Sequence, residues 1–393
     1  QSDFYMDNNY CVRVTRLLHH SLTMENYLFL LGGLFLYFAA SSTHGACPCA
    51  KESLCEPVES SHNRPQVLGW NVNPKVWQYY DWDKITTVGV FRTWDSDADK
   101  MLCHAHANNV RVVLPGNFPV ANLTSTADRK KWVDDITART LTQHTDGVNF
   151  DVESPIAADS PERHALILLI NETRNSLLRH NAHVQITADV AWSPDCIDGR
   201  CYDVKGMAEV TDFLAIMSYD ERSQIFPPLQ CIAMSNSPVA QTFDGVQKYI
   251  AAGIAPEKLL LGQPWYGYNY PCETYDNKTN VCAIAKVPFR GANCSDAAGR
   301  EYPFSWIMSN MKASGAKRQW NTEQEAPFYN FMAADGKHHQ VWYDDVQSLK
   351  IKYRRAKDMK LHGVAFWTVD FLDYTGDTEA QALAKEMWNA IEV

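Results

Sequence analysis

Short apolar runs rich in β-branched and aromatic residues alternate with helix-patterned stretches along the whole chain. This alternation constrains the fold more than any other feature. The runs are "VLGWNVN" from Val67, "TTVGVF" from Thr86, "VRVVLPG" from Val110, "GVNFDVE" from Gly147, "VQITADVAW" from Val184, "FLAIMSYD" from Phe213, "LLLGQPWYG" from Leu259 and "GVAFWTVD" from Gly363. Between them lie helix signals. Ser160-Pro161-Glu162 combines an N-cap residue, a first-turn Pro and an acid near the helix dipole, and Leu166, Leu169, Ile170 and Leu177 follow at helical spacing. Val346, Leu349, Tyr353 and Ala356 repeat that spacing, with Gly363 expected as the stop, and Gly253 then Pro256 end another helix.

Eight such units over about 320 residues predict an α/β fold, a (β/α)8 or TIM barrel. A doubly wound open sheet is the alternative, but no Gly-rich dinucleotide turn follows the first run. Runs seven and eight lie about 95 residues apart, too far for one helix and its loops. The gap contains "APFYNFMAADGKHHQVWYDD", two aromatic-rich arms around an Asp335-Gly336 turn, which reads as a hairpin. A small α+β insertion is therefore expected between strands seven and eight, at about residues 268–345.

The fourth run carries acids where a buried strand wants hydrocarbon. Side chains alternate with period two, so Val148, Phe150 and Val152 share one face and Asn149, Asp151 and Glu153 the other. A barrel strand has no solvated face, which excludes a strand with one wet side. The apolar set suits the helix layer and the polar set the barrel axis. Glu153 then falls at the C-terminal end of its strand, where barrel enzymes hold their chemistry. Two carboxyls there can perform acid–base glycoside hydrolysis, and a like charge nearby should raise the proton affinity of one of them, as a general acid needs. The spacing leaves open whether Asp151 is nucleophile, base or helper.

Residues 1–46 read as an upstream segment and signal peptide, removed to leave residues 47–393. An apolar stretch at residues 27–40 is followed by small residues and Cys47, too short for a comfortable membrane span, with a retained anchor as the alternative. Met24 is a candidate initiator. Of eleven cysteines, cleavage before Cys47 discards Cys11 and leaves ten, an even number that implies disulfides in an oxidising compartment. No Cys-x2-Cys pair with a matching partner supports zinc. His104 and His106 diverge on a helix and His338 and His339 are adjacent in the hairpin, so no metal site is expected. Asn122, Asn171, Asn277 and Asn293 head N-x-[ST] triplets that predict a glycosylated luminal protein. The net charge of −10 argues against a nucleic-acid partner, and an acidic chain with 12% aromatic residues suits a neutral, hydroxyl-rich ligand.

"DGVNFDVE" resembles the D-x-x-D-x-D-x-E signature of family 18 glycoside hydrolases, the chitinase-like barrels, with Asn149 at the second Asp position. "MSYD" at residues 217–220 and "GQPWYG" resemble that family's sixth- and seventh-strand motifs, and "FWTVD" supplies a last-strand Trp. The resemblance spans residues 47–393, and "CPC", "VAWSP", "IAKVPFRG" and "CSDAAGR" point to a branch of the family that degrades glycoproteins in lysosomes. It implies hydrolysis of β-1,4-linked N-acetylglucosamine in the chitobiose core of asparagine-linked oligosaccharides and in chito-oligosaccharides. It implies no cofactor, no membrane once the signal is cleaved, and a monomer. The nucleophile would be the substrate's own 2-acetamido oxygen. Glu153 would protonate the glycosidic oxygen and then activate water, Asp151 would orient the acetamide and stabilise the oxazolinium, and Tyr219 would hydrogen-bond the acetamide oxygen. Asn149 would hydrogen-bond Asp151. Trp367 would be a sugar platform rather than barrel core, Met217 would pack beneath the sugar, and Tyr266 would contact substrate. Asp220 would either contact substrate or cap the next helix. A lectin without the acid Glu and an endoglycosidase on intact N-glycans are the alternatives; Glu153 is present.

Overall fold

The sequence that alternates strand and helix closes into a barrel. The computed structural model describes residues 45–59, 64–224, 230–289 and 292–393. Met24, Cys11 and the apolar stretch at 27–40 lie outside the described residues. The barrel strands are β1 (Gln66–Asn71), β2 (Thr87–Val90), β3 (Arg111–Gly116), β4 (Gly147–Phe150), β5 (Gln185–Ala191), β6 (Phe213–Met217) and β7 (Leu259–Pro264). Seven further strands follow before the last barrel strand, β15 (Gly363–Trp367), which pairs in parallel with both β7 and β1 to close the ring. All eight expected runs are strands of this barrel. The seventh run, however, divides after Pro264: from Tyr266 the chain leaves the barrel and joins another sheet.

That second sheet is antiparallel, with β8 (Tyr266–Pro271), β11 (Arg300–Pro303), β12 (Gln319–Asn321), β13 (Ala326–Met332) and β14 (His338–Trp342) in the order β11-β8-β14-β13-β12. β9 (Thr274–Asp276) and β10 (Val281–Ala283) form a separate hairpin. β13 and β14 are the aromatic hairpin read from the sequence. With helix α6 (Phe304–Ser314) these strands make the α+β insertion.

The other helices are α1 (Ser96–Ala107), α2 (Thr126–Thr142), α3 (Pro161–Leu178), α4 (Val204–Val210), α5 (Val239–Ala251), α7 (Val346–Asp358) and α8 (Thr378–Asn389). Among the described residues no helix is long and apolar enough to cross a membrane. Two helix signals work differently from the expectation. Ser160 is the N-cap of α3, but its hydroxyl makes no capping bond. α7 ends at Asp358 with Met359 as its C-cap, and the left-handed residue just beyond is Lys360 at φ 62, not Gly363. Gly363 lies within β15 because the neighbouring strand passes so close that a Cβ there would sit 1.9 Å from the Gln66 carbonyl oxygen.

The apolar faces of the strands and helices share one core. Val148, Phe150 and Val152 lie in it with Leu166, Leu169 and Ile170 of α3, and Trp132 of α2 packs on Phe150. A smaller cluster of Leu68, Trp70, Phe213, Ala215, Leu260 and Ala365 fills the barrel axis. Among the described residues there are five disulfides: Cys47–Cys55, Cys49–Cys103, Cys196–Cys201, Cys231–Cys294 and Cys272–Cys282. Of the glycan triplets, Asn122, Asn277 and Asn293 are exposed. Asn171 is half-buried within α3, and its triplet's Thr173 hydroxyl turns inward to donate to Leu169 O at 2.8 Å.

Candidate active site

Because β4 buries Val148, Phe150 and Val152 against the helices, its alternate side chains must face the axis, and at the strand's C-terminal end they meet open space. A cavity of about 170 Å³ lies there, lined by Trp70, Asp151, Glu153, Asp189, Met217, Tyr219, Asp220, Tyr266, Glu301 and Trp367. Seven of the eight expected catalytic and substrate-binding residues line this cavity. Asn149, the eighth, is fully buried beneath it.

Asn149 does not bond Asp151, as the sequence had suggested. It donates from Nδ2 to Asp189 Oδ2 at 2.6 Å and accepts from Thr187 Oγ1 at 2.6 Å. The reason is register: β4 and β5 run side by side with Asn149 opposite Thr187, so its nearest polar neighbours are across the strand pair, not along it. Asp189, buried within β5, keeps one oxygen, Oδ1, without a partner, and so does Asp151. Burial and then the charge of Glu153 push the Asp151 carboxyl up to about 7, against the pull of Arg200. Burial and then Asp151 push Asp189 well above the usual carboxylate range. A like charge was expected to raise one carboxyl of the pair; Asp151 is raised, by burial first and by the charge of Glu153 second.

Glu153 stands at the rim with its side chain 55% exposed, and Arg200 Nη1 donates to its Oε2 at 3.0 Å. Tyr219 is buried, and burial, then Asp189, holds its phenol well above the usual range, so it stays a neutral donor. No described residue bonds its hydroxyl. Asp220 does not cap a helix. It accepts hydrogen bonds from Tyr266 at 2.7 Å and Tyr268 at 3.0 Å, both on β8, and its backbone is left-handed at φ 53. Burial raises its carboxyl in spite of these bonds.

Trp70 and Trp367 lie side by side on the adjacent strands β1 and β15, ring centroids 6.0 Å apart and planes tilted by 57°. The turns that carry them are tied together by Asp370, which accepts from Val72 N at 2.5 Å, Asn73 N at 2.7 Å and the Tyr80 hydroxyl. Trp367 is half-buried, packing on the axial cluster with one side and lining the cavity with the other. The insertion sheet contributes Tyr266 and Glu301 to the cavity. Crowding at the cleft wall, then Asp220, pushes the Glu301 carboxyl up to about 7.

Trp70, Asp189, Glu301 and Arg200 are the site residues that the sequence reading missed. Asp189 carries the same signal as Asp151, an acid on the axial face of an apolar strand, and the same alternation argument reaches it. Trp70 is the axial aromatic of "VLGWNVN". Glu301 and Arg200 come from the insertion and a long loop, where no periodicity reports direction.

The family model described as "Glycosyl hydrolases family 18" matches residues 115–371. The di-N-acetylchitobiase of Rattus norvegicus is 44% identical over 345 residues, which cover 88% of this chain and 92% of that protein. The di-N-acetylchitobiase of Mus musculus is 42% identical over 361 residues, 91% of this chain and 96% of that protein. Among solved structures, a plant class V chitinase mutant from Cycas revoluta in complex with (GlcNAc)3 shares the fold. Its TM-score is 0.65 at 18% identity, over 83% of this chain and 99% of that one.

Proposed function

The chain belongs to family 18 of the glycosyl hydrolases, and from that premise we propose that it cleaves the β-1,4 bond of di-N-acetylchitobiose, in the core of asparagine-linked oligosaccharides and in chito-oligosaccharides. Relatives with that printed name, matched over nearly their whole length, support the substrate. The cavity's tryptophans and uncharged hydroxyl donors suit a neutral pyranose.

One observation carries the mechanism: Asp151 and Glu153 leave the same strand end two residues apart. Inverting hydrolases place two carboxyls about 6.5–9.5 Å apart across the sugar, and conventional retaining ones about 5–5.5 Å. Both follow the end of β4 within three residues and line the same cavity, so they flank a single side of the ring. The substrate then supplies its own nucleophile. The 2-acetamido oxygen attacks C1 while Glu153 gives its proton to the departing glycosidic oxygen, leaving an oxazolinium. Water next attacks C1, losing its proton to Glu153 and returning the acetamide. Asp151 orients the acetamide N–H and stabilises the positive charge, and Tyr219 donates to the acetamide oxygen. Such an intramolecular nucleophile needs positioning more than activation. Trp367 is the platform under the reacting ring, with Met217 beneath it. Asp220 and Tyr266 form one polar wall.

Five disulfides and the exposed triplets at Asn122, Asn277 and Asn293 support a glycosylated protein of the secretory route, with the lysosome as its place of action. An NMR time course on β-linked N-acetylglucosamine dimers tests the mechanism. The first product should be the β anomer, and the de-N-acetylated dimer should not turn over. An initial α anomer, or equal turnover of both substrates, would exclude it.

A further inference from the structure

Glu153 sits on a turn, residues 152–156, that lies past the end of β4. A second segment holds that turn. Ile156 N donates to Gly199 O at 2.9 Å and Cys201 N donates to Ile156 O at 3.0 Å, so the two segments pair as a short parallel bridge. The Tyr202 hydroxyl lies 2.6 Å from Val152 O and 2.7 Å from Ser154 O, one carbonyl on each side of Glu153. Gly199 is left-handed at φ 74, and a Cβ there would press on Pro155 at 3.1 Å. Arg163 Nε holds the segment from behind by donating to Cys201 O at 2.9 Å.

The same segment reaches the carboxyl itself. Arg200, its side chain 4% exposed, donates from Nη1 to Glu153 Oε2 at 3.0 Å. Glu153 Oε1 bonds no described residue. Arg200 is bracketed by the Cys196–Cys201 disulfide, whose partners are only five residues apart. A cross-link over so short a loop removes little entropy from the unfolded chain, since that stabilisation grows with loop length. Its effect is local: it fixes where residues 197–200 can be.

We propose that residues 196–202 form a disulfide-locked clasp on the turn bearing Glu153, with Arg200 as a positioning residue for the acid. Arg200 anchors Oε2, stopping rotation of the carboxyl and leaving Oε1 as the oxygen that passes the proton to the glycosidic oxygen and recovers one from water. The tyrosine and the parallel bridge fix the backbone, and the disulfide fixes the arginine. The inference rests on the assignment of Glu153 made under Proposed function.

The test compares the full-length wild type with Arg200→Met, Arg200→Lys and Cys196→Ser/Cys201→Ser on di-N-acetylchitobiose. Misplacing a reacting group by about 1 Å costs up to about 100-fold, so Arg200→Met and the disulfide variant should each lose about 10–100-fold in kcat. KM should stay within about twofold, the pattern of an interaction realised in the transition state. Arg200→Lys, which keeps one donor, should recover part of the loss. Amide exchange should quicken at residues 152–156 in the disulfide variant and leave the barrel strands protected. Unchanged kcat in both Arg200→Met and the disulfide variant would overturn the clasp. So would a KM that rises as far as kcat falls, or an Arg200→Lys variant no better than Arg200→Met. A wild type inactive on chitobiose would instead refute the proposed function, and the exchange measurement would then test the clasp alone.

Discussion

Asp146 and Asp151 bracket the same strand, one at each end of β4, and they behave as opposites. Asp146, at the floor of the barrel, is fully buried and fully used. It accepts from Val58 N at 2.8 Å, Val112 N at 2.7 Å and His106 Nε2 at 3.0 Å. Burial works to lower the His106 imidazole, but the charge and hydrogen bond of Asp146, with the bond to Leu54 O, prevail and raise it. Asp151, at the mouth, has a buried oxygen with no partner and a carboxyl raised to about 7. A satisfied acid staples two strands and the chain leading into the barrel. An unsatisfied one is an incomplete hydrogen-bond arrangement that substrate can complete. The two ends of one strand divide stability from chemistry, as barrels generally do.

The division breaks most sharply at Glu153. Glu153→Gln should fold normally, because the amide oxygen can still accept from Arg200, but should lose about 10²–10⁴-fold in kcat, the usual contribution of a general acid–base group. Near-normal turnover by a folded variant would remove Glu153 from the chemistry. The floor should give the converse result. Asp146→Ala leaves two buried amides and a buried imidazole without their acceptor, and an unsatisfied buried group costs about 1–3 kcal/mol. Denaturant unfolding should show that loss, while activity per folded molecule stays near wild type below the transition. A stable Asp146→Ala protein that is inactive would show that the floor also serves catalysis. Smaller still is Tyr219→Phe, which deletes one hydrogen bond to the acetamide, worth about 1 kcal/mol or somewhat under tenfold in kcat. Asp151→Asn should cost more, since it removes a charge. Equal effects would mean that Asp151 acts only through geometry.

The mouth's side of this contrast was legible in the sequence, and the part played by Asp146 was not. Period-two alternation placed Asp151 and Glu153 on the axial face, and strand count closed the barrel, because both depend on short-range patterns that burial enforces. The partner of Asn149 was misread because a strand's polar neighbour is chosen by register with the adjacent strand, which one sequence does not report. The left-handed residue just past α7 is Lys360, not Gly363, because such a residue need not be glycine. Gly363 answers a close approach from β1 that is invisible along the chain. Arg200 and Glu301 stayed hidden because loops and insertions aim side chains by tertiary contacts alone.

The faintest expected effect tests whether the mouth carries its unsatisfied carboxyls at a cost. Glu221, next to Asp220, is fully buried. Its Oε1 accepts from Thr242 Oγ1 at 2.6 Å, and its Oε2 has no partner. Lys352 lies near, but its Nζ is bound to Asp344 Oδ1 at 2.8 Å. Burial pushes the Glu221 carboxyl up to about 8 from an ordinary value of 4.5; the Thr242 bond and Lys352 pull it down, and Asp344 and Asp220 push it up. Below 4.5 the group is neutral in both folded and unfolded chains, so its burial carries no ionisation penalty. As pH rises from 4.5 toward about 8, the unfolded chain sheds the proton while the folded chain keeps it, and stability is lost across that window. Gln ionises in neither state. Glu221→Gln should therefore unfold roughly 3 °C or more above wild type at a pH near 8, and close to wild type near pH 4.5. Melting curves at the two pH values decide it. A shift of equal size at both would assign the effect to packing and leave Glu221 outside the strained set at the mouth. A shift confined to the higher pH would show that the barrel's active end is built to be steadier in acid than at neutral pH.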